Sequence, residues 1–368
     1  MRFQPSSQIQ RQLMRHILEG RYAPGQSLPT IHELAKILQV STKTVQKAVH
    51  GLSAEGLIEA KRGVGLIVKA AANSNARWKR VGLLYSNPGD YLKQMPYPGT
   101  VIQALEREMT KAGISLLPCS LAEIERLNLL EIIAKRRLNA IVLFEVDSDP
   151  LILELRETRL PMISLDYDAY RHGVSSVIFD NIHGTFQATK NLIDLGHRDI
   201  AFLRPLHKSP IHSYGSLDWV EDERLKGYRL AMQDAKLPLL MREYEMTPDA
   251  AQQMLKELFA RPVPPSAAVC VSDGAVLLIA AEAEKLNIRV PEDLNFTGFG
   301  ADNMKLASGK IVSSVRVGYA EMGRLAGEIL IGIMEGKETG TRRELLPAQL
   351  AAGQTVAAYS SIPAQLAR

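Results

Sequence analysis

The chain has 368 residues, 46% of them hydrophobic and 23% charged, an ordinary balance for a globular protein that excludes fibrous and low-complexity classes. No run approaches the ~18 apolar residues of a membrane span, and MRFQPSSQIQ has no apolar signal core, so a cytoplasmic protein of two or three domains with no membrane partner is expected. The net charge of +4 is unevenly placed: residues 1–80 hold 13 lysines and arginines against 4 acids, and the remainder 31 against 36. Positive charge gathered in one small segment points to a polyanion partner.

The first helix is expected to begin near Ser7, with Ile9, Leu13 and Ile17 as its core stripe, and to stop near Gly20 ahead of a Pro24-Gly25 turn. Thr30 followed by Glu33 reads as a capping box, opening a helix in which Ile31, Leu34, Ala35 and Leu38 share one face. Gln39-Val40 forms a turn, and Ser41 caps a third helix that turns Val45, Ala48, Val49 and Leu52 inward. Thr42, Lys43, Thr44, Gln46 and Lys47 lie on its other face, where small and basic donors suit the major groove of a duplex. Gly56 ends this helix. Residues 57–60 and 66–68 then read as two strands joined by the turn Lys61-Arg62-Gly63-Val64-Gly65, a basic hairpin placed to touch phosphate or the minor groove.

This order is a winged helix-turn-helix over residues 1–69. Its candidate DNA contacts are Thr30, His32, Ser41, Thr42, Lys43, Thr44, Gln46, Lys47, Lys61, Arg62 and Gly63. Through Gly25, Leu28-Pro29, Glu33-Leu34-Ala35, Val40-Ser41, Thr44-Val45, Ala48, Gly56-Leu57-Ile58 and Arg62-Gly63-Val64-Gly65, the segment resembles the GntR family of bacterial transcription regulators. Members usually carry arginines where this chain has His32, Thr42 and Gln46. The resemblance therefore implies DNA binding with weaker phosphate contact and leaves the operator sequence open. Gln46 is better suited to adenine than to guanine.

Residues 70–79, AAANSNARWK, are small, polar and aperiodic, and read as a linker. Beyond them, short apolar runs alternate with amphipathic helices. Strands are expected at 81–85, 114–118, 140–144, 161–166, 176–179, 200–203, 267–271 and 294–299, and helices at 99–112, 122–137, 150–158, 182–195, 220–235, 248–260, 273–286 and 318–334. This pattern means α/β architecture with parallel sheets covered on both faces, and the number of units calls for two lobes. The two cysteines, Cys119 and Cys270, sit in apolar runs and read as buried small hydrophobes. With no CxxC or Cys/His cluster, neither metal nor cofactor is expected.

The long region is similar to the effector domain of LacI/GalR-type repressors, which is related to periplasmic sugar-binding proteins. The likeness rests on Phe179-Asp180-Asn181 with Gly184, Leu195-Gly196-His197-Arg198, Arg224 with Gly227-Tyr228, Ser272-Asp273, Val290-Pro291-Glu292-Asp293 with Gly298-Phe299, and Met322-Gly323 with Ala326. It implies a periplasmic-binding-protein-like pair of lobes over 80–368. Lobe one would take about 80–195 and 313–337, and lobe two about 196–312 and 338–368. Ligands in such sheets bind beyond the carboxyl ends of the strands. The candidate effector contacts there are Ser86, Asn87, Glu145, Asp147, Asp166, Tyr214, Trp219, Arg224, Asp273 and Asp302, with carboxylates and arginine to bond vicinal hydroxyls and aromatics to pack on a sugar ring. Asp180-Asn181 is expected to cap the following helix.

Two departures matter. Ser272 stands where the family usually has asparagine, and Gly300 where it usually has an aspartate after Gly-Phe, so Asp302 is the candidate replacement.

The combined expectation is a sugar-responsive, non-enzymatic regulator, a repressor by resemblance, that binds operator duplex as a homodimer. The helices 99–112 and 122–137 are its candidate dimer faces. Three alternatives stay open. A sugar-processing enzyme would fit the polar strand ends, although GxSxG, GxxxxGK and a post-strand GxGxxG are missing and Lys36 breaks an HExxH. A transport-binding protein would need export. A DNA-binding protein with a degenerate, ligand-free sensor would fit Ser272 and Gly300.

Overall fold

The computed structural model describes residues 5–18, 21–23, 25–54, 56–61, 64–69, 79–85, 96–120, 129–206, 218–300 and 303–360. The head comprises α1 (Pro5–Leu18), α2 (Ile31–Ile37), α3 (Thr42–Ala54) and the antiparallel hairpin β1 (Ile58–Lys61) and β2 (Gly65–Val68). Ile9, Leu13, Met14 and Ile17 pack with Leu34, Val45, Leu52 and Val68 in one core, as the helical spacing predicts. The capping box at Thr30 forms: Glu33 donates its backbone N–H to Thr30 Oγ1 (3.3 Å), and Thr30 N–H returns a bond to Glu33 Oε2 (2.7 Å).

Two six-stranded sheets make up the trunk. The first contains β3 (Lys79–Tyr85), β4 (Ile114–Ser120), β5 (Ala140–Phe144), β6 (Met162–Leu165) and β7 (Ser175–Phe179), all parallel, with β13 (Arg343–Leu346) added beside β7. The second contains β8 (Ile200–Leu206), β9 (Leu240–Glu245), β10 (Ala267–Cys270), β11 (Asn295–Gly300) and β12 (Ser313–Val317), also parallel. Antiparallel β14 (Ala348–Ala351) closes it beside β12. The central strands, such as AIVLF at β5, are buried along their whole length because helices cover both faces.

On the first sheet these helices are α4 (Pro96–Lys111), α5 (Leu129–Arg136), α6 (Asp149–Arg156) and α11 (Tyr319–Met334). On the second they are α7 (Asn181–Asp194), α8 (Asp218–Asp234), α9 (Pro248–Phe259) and α10 (Asp273–Lys285).

The chain crosses between the layers at 179/181, at 317/319 and at 346/348, which differs from the expected division. Residues 181–194, assigned to lobe one from sequence, instead pack on α8 and the second sheet through Thr185, Ala188, Thr189 and Leu192. Residues 313–317 and 343–346 also exchange layers relative to the expectation. Short strands with charged or serine-rich sequences, SSVRV and RELL, carry little periodic signal, so their pairing partners decide where they go.

Helix α5 has two apolar faces. Leu129, Ile132 and Ile133 enter the core under the first sheet, while Leu130 and Ala134, each 5% exposed, join the core of the head against α1. In this arrangement that face of α5, a candidate dimer face, is covered by the chain's own head. Among the described residues no helix is long and apolar enough to cross a membrane, and no cluster of three or more His, Cys, Asp or Glu is placed to hold a metal ion.

Candidate DNA-binding face and ligand cleft

On the head, the packing of Val45, Ala48, Val49 and Leu52 against α1 turns the opposite side of α3 outward. Thr42, Lys43, Gln46 and Lys47 are exposed there, as are Ser41 at the start of the helix, His32 on α2 and Lys61 at the end of β1. Thr44 differs. It is half-buried, its hydroxyl shares a 2.8 Å hydrogen bond with Ser41 Oγ, and its backbone N–H donates to the same oxygen (3.2 Å). Ser41 and Thr44 therefore hold the N-terminus of the helix, as a capping serine does, while the neighbouring cations stay free in solvent. Thr30 is exposed and committed to its capping box. Arg62 and Gly63 lie outside the described residues.

In the trunk, the carboxyl ends of the strands from both sheets converge. Asp166 follows β6 and is 4% exposed with φ 61°, a left-handed conformation that a non-glycine residue adopts at a cost. Its Oδ2 accepts a 2.5 Å hydrogen bond from Tyr97 Oη, and its buried Oδ1 has no partner among the described residues. Burial pushes this carboxyl above its ordinary value, against the pull of the Tyr97 bond and the Arg224 charge. Glu145 follows β5 and is likewise buried and left-handed, at φ 53°, and Asp147 is half-buried two residues on.

From the second layer, α8 delivers Arg224. Its Nε donates to Asn181 Oδ1 (2.9 Å), its Nη1 donates to the Val271 carbonyl (2.6 Å), and its guanidinium lies 3.8 Å over the Phe299 ring. Three anchors fix the plane of this cation, the geometry in which arginine is most selective. Asn181 was expected only to help cap α7. Asp180 alone supplies that cap, accepting from His183 N–H (3.0 Å), and Asn181 is a buried brace for Arg224.

Asp273, also expected at the cleft, is drawn inward. Its Oδ2 accepts from Ser314 Oγ (2.8 Å), and its other oxygen lies where a Cβ on Gly298 would overlap it. Ser272 caps α10 through Ala275 N–H.

Trp219 packs edge-on against Tyr167, with ring centroids 5.4 Å apart, and so joins α8 to the first layer. Tyr167 in turn donates to Asp149 Oδ1 (2.5 Å), which Arg171 and His172 also approach at 2.9 and 2.8 Å. Burial raises the Asp149 carboxyl, but these three hydrogen bonds outweigh it and bring the group down to about 2. Ser86, Asn87, Tyr214 and Asp302 lie outside the described residues; of the expected set, Glu145, Asp166, Arg224 and Asp273 gather near Tyr319.

Sequence reasoning missed Tyr97, Asn181 as a brace, and Tyr319. Tyr319 lies tilted against Tyr97 (4.4 Å between centroids, 42° between planes) and meets Phe179 edge-on (5.6 Å). Its phenol is held above the ordinary range by burial. Arg224 opposes this, and the carboxylates of Asp166, Asp273 and Glu145 reinforce it. With aromatics only 6% of the chain, a tyrosine opening a helix was the available signal.

Residues 5–68 match the family of bacterial regulatory proteins, gntR family, and residues 189–356 match the periplasmic binding protein-like domain. The chain is 25% identical over 346 residues to the arabinose metabolism transcriptional repressor of Geobacillus stearothermophilus, covering 89% of this chain and 90% of that one. It is 27% identical over 289 residues to the HTH-type transcriptional repressor PurR of Pasteurella multocida (74% and 82%). Among solved structures, the lac repressor dimer bound to operator and the anti-inducer ONPF superposes with a TM-score of 0.64 at 18% identity, covering 78% of this chain and 98% of that one. These relatives are transcription regulators rather than enzymes. The chain thus joins a winged helix-turn-helix that matches the gntR family model to a trunk that matches the periplasmic binding protein-like domain and shares its fold with the lac repressor.

Proposed function

We propose that the protein is a sugar-responsive transcriptional repressor that grips operator duplex as a homodimer, through α3 and the β1–β2 wing, and releases or tightens it when a ligand fills the cleft. The observation that carries the sensing role is Asp166: a strained, buried carboxylate at a strand end, one oxygen held by Tyr97 and the other without a partner among the described residues. Leaving such a group unmet costs free energy that a ligand hydroxyl recovers. Three buried acids, Asp166, Glu145 and Asp273, near the cation Arg224 favour an uncharged polyol over an anion. The arabinose repressor among the relatives supports a sugar as that polyol.

The exposed Lys43, Gln46, Lys47 and Lys61 remain presented while the head rests on α5, so the docked head is compatible with DNA. A ligand shifts operator affinity only by its differential affinity for the two lobe arrangements, typically about 5- to 150-fold. The test is thermal-shift screening with neutral pentoses and hexoses, L-arabinose included, followed by operator binding with each sugar that raises the melting temperature. Stabilisation by at least one sugar, together with a change in operator affinity, is expected. A panel with no stabilising member would overturn the sensing role.

A further inference from the structure

We infer that Tyr319 sets ligand specificity in this cleft: its hydroxyl stands in the space left by the missing side chain at position 300 and bonds one hydroxyl of a neutral monosaccharide held beside Asp166. The inference rests on the sugar-binding reading and goes beyond it to a particular atom.

Three observations meet at this point. Gly300 ends β11 with φ 127°, a backbone conformation that side chains avoid, and a Cβ there would overlap the Tyr319 hydroxyl oxygen. Tyr319 comes from α11, which packs on the other layer, so its ring crosses from the first sheet's core to the end of a second-sheet strand. Finally, Tyr319 Oη makes no hydrogen bond with the described residues, although the charges of Arg224, Asp166, Asp273 and Glu145 all act on it.

A phenol in this place both donates and accepts without adding charge. The unpaired Oδ1 of Asp166 accepts, and Arg224, held flat by Asn181 and Phe299, supplies a donor cation. Acceptor, donor and amphoteric hydroxyl together suit adjacent ligand hydroxyls.

The test uses the full chain and two variants. Calorimetric titration is run with neutral pentoses and hexoses and with monodeoxy analogues of whichever sugar the wild-type protein binds. Tyr319→Phe keeps the ring and is expected to weaken that sugar about five- to fiftyfold, as loss of one buried hydrogen bond does. One monodeoxy analogue should lose a similar factor on wild-type protein and no more on Tyr319→Phe. Equal affinity of the two proteins for the parent sugar, or identical ranking of every deoxy analogue, would overturn the inference while leaving the sugar reading intact. Wild-type protein that binds no sugar overturns both.

A ligand-free arm checks the packing exchange. Gly300→Ala should lower the denaturation midpoint less in a Tyr319→Phe background, where the nearest remaining ring atom is 3.5 Å from the added Cβ, than in wild type. Equal losses in the two backgrounds would show that the hydroxyl does not occupy that space.

Discussion

The head and the cleft place their functional side chains by opposite means. On the head, Thr42, Lys43, Gln46 and Lys47 sit within six consecutive positions of one helix, exposed because the apolar residues between them are buried. In the cleft, Tyr97, Asp166, Asn181, Arg224, Phe299 and Tyr319 come from elements scattered over more than half of the chain, and they are buried or half-buried and joined by hydrogen bonds and ring contacts. A surface that grips a polyanion needs only a helix with the right face outward. A pocket that reads a small molecule needs long-range topology to bring single atoms together. The two regions should therefore fail independently, and in different ways.

The largest effect is expected in the head core. Leu52→Ala, at a fully buried position, should cost about 2–5 kcal/mol. Two-domain denaturation followed by circular dichroism should show the head melting early, with sugar-induced stabilisation of the trunk retained. Loss of both together would show that the regions are one cooperative unit. Next, Asp166→Ala should weaken sugar binding by about one to two orders of magnitude, since bonds to a charged group are the stronger kind. Operator affinity without sugar should stay unchanged when measured by fluorescence anisotropy. A smaller effect belongs to Lys47→Ala, which should reduce operator affinity across all sequences and lower the slope of log affinity against log salt by about one. Sugar affinity should not move.

The smallest effect is pH-dependent. Asp149 titrates near 2 in the folded chain, below its ordinary value of 3.8, so the stability it lends is fully present above about pH 4 and is lost as pH falls towards 2. The loss should be smaller in Tyr167→Phe, which removes one of the three bonds. Acid denaturation curves that coincide for the two proteins would remove Asp149 from the account.

How much of this was legible beforehand follows the same division. The α1 stripe, the Thr30 capping box and the Ser41 cap all depend on residues three or four apart, and each forms as the spacing implies. The long apolar strands and amphipathic helices of the trunk were equally readable, because covered parallel sheets write continuous hydrophobic runs. The crossings at 317/319 and 346/348 were not, since SSVRV and RELL take their sheet from tertiary pairing. Within the cleft, Asp166 stood at a readable place, a strand end, and Arg224 in the second turn of a helix. Asn181 looked like a capping residue until its side chain was seen to hold Arg224. Asp273 has the right type and position, yet Ser314 and the bare Gly298 draw it into the sheet. Tyr319 was visible only as a tyrosine opening a helix, because nothing in the spacing of 300 and 319 says that one residue fills the space of the other.

For a ligand to control operator binding, the cleft and the head must share one free-energy balance. The direct measurement is operator affinity of the full chain, on a duplex enriched by the protein from a random pool, titrated with L-arabinose and with each other sugar that binds the trunk. A shift of about 5- to 150-fold in wild type that disappears in Asp166→Ala is the predicted result. Saturation of the trunk by sugar with operator affinity unchanged would contradict it.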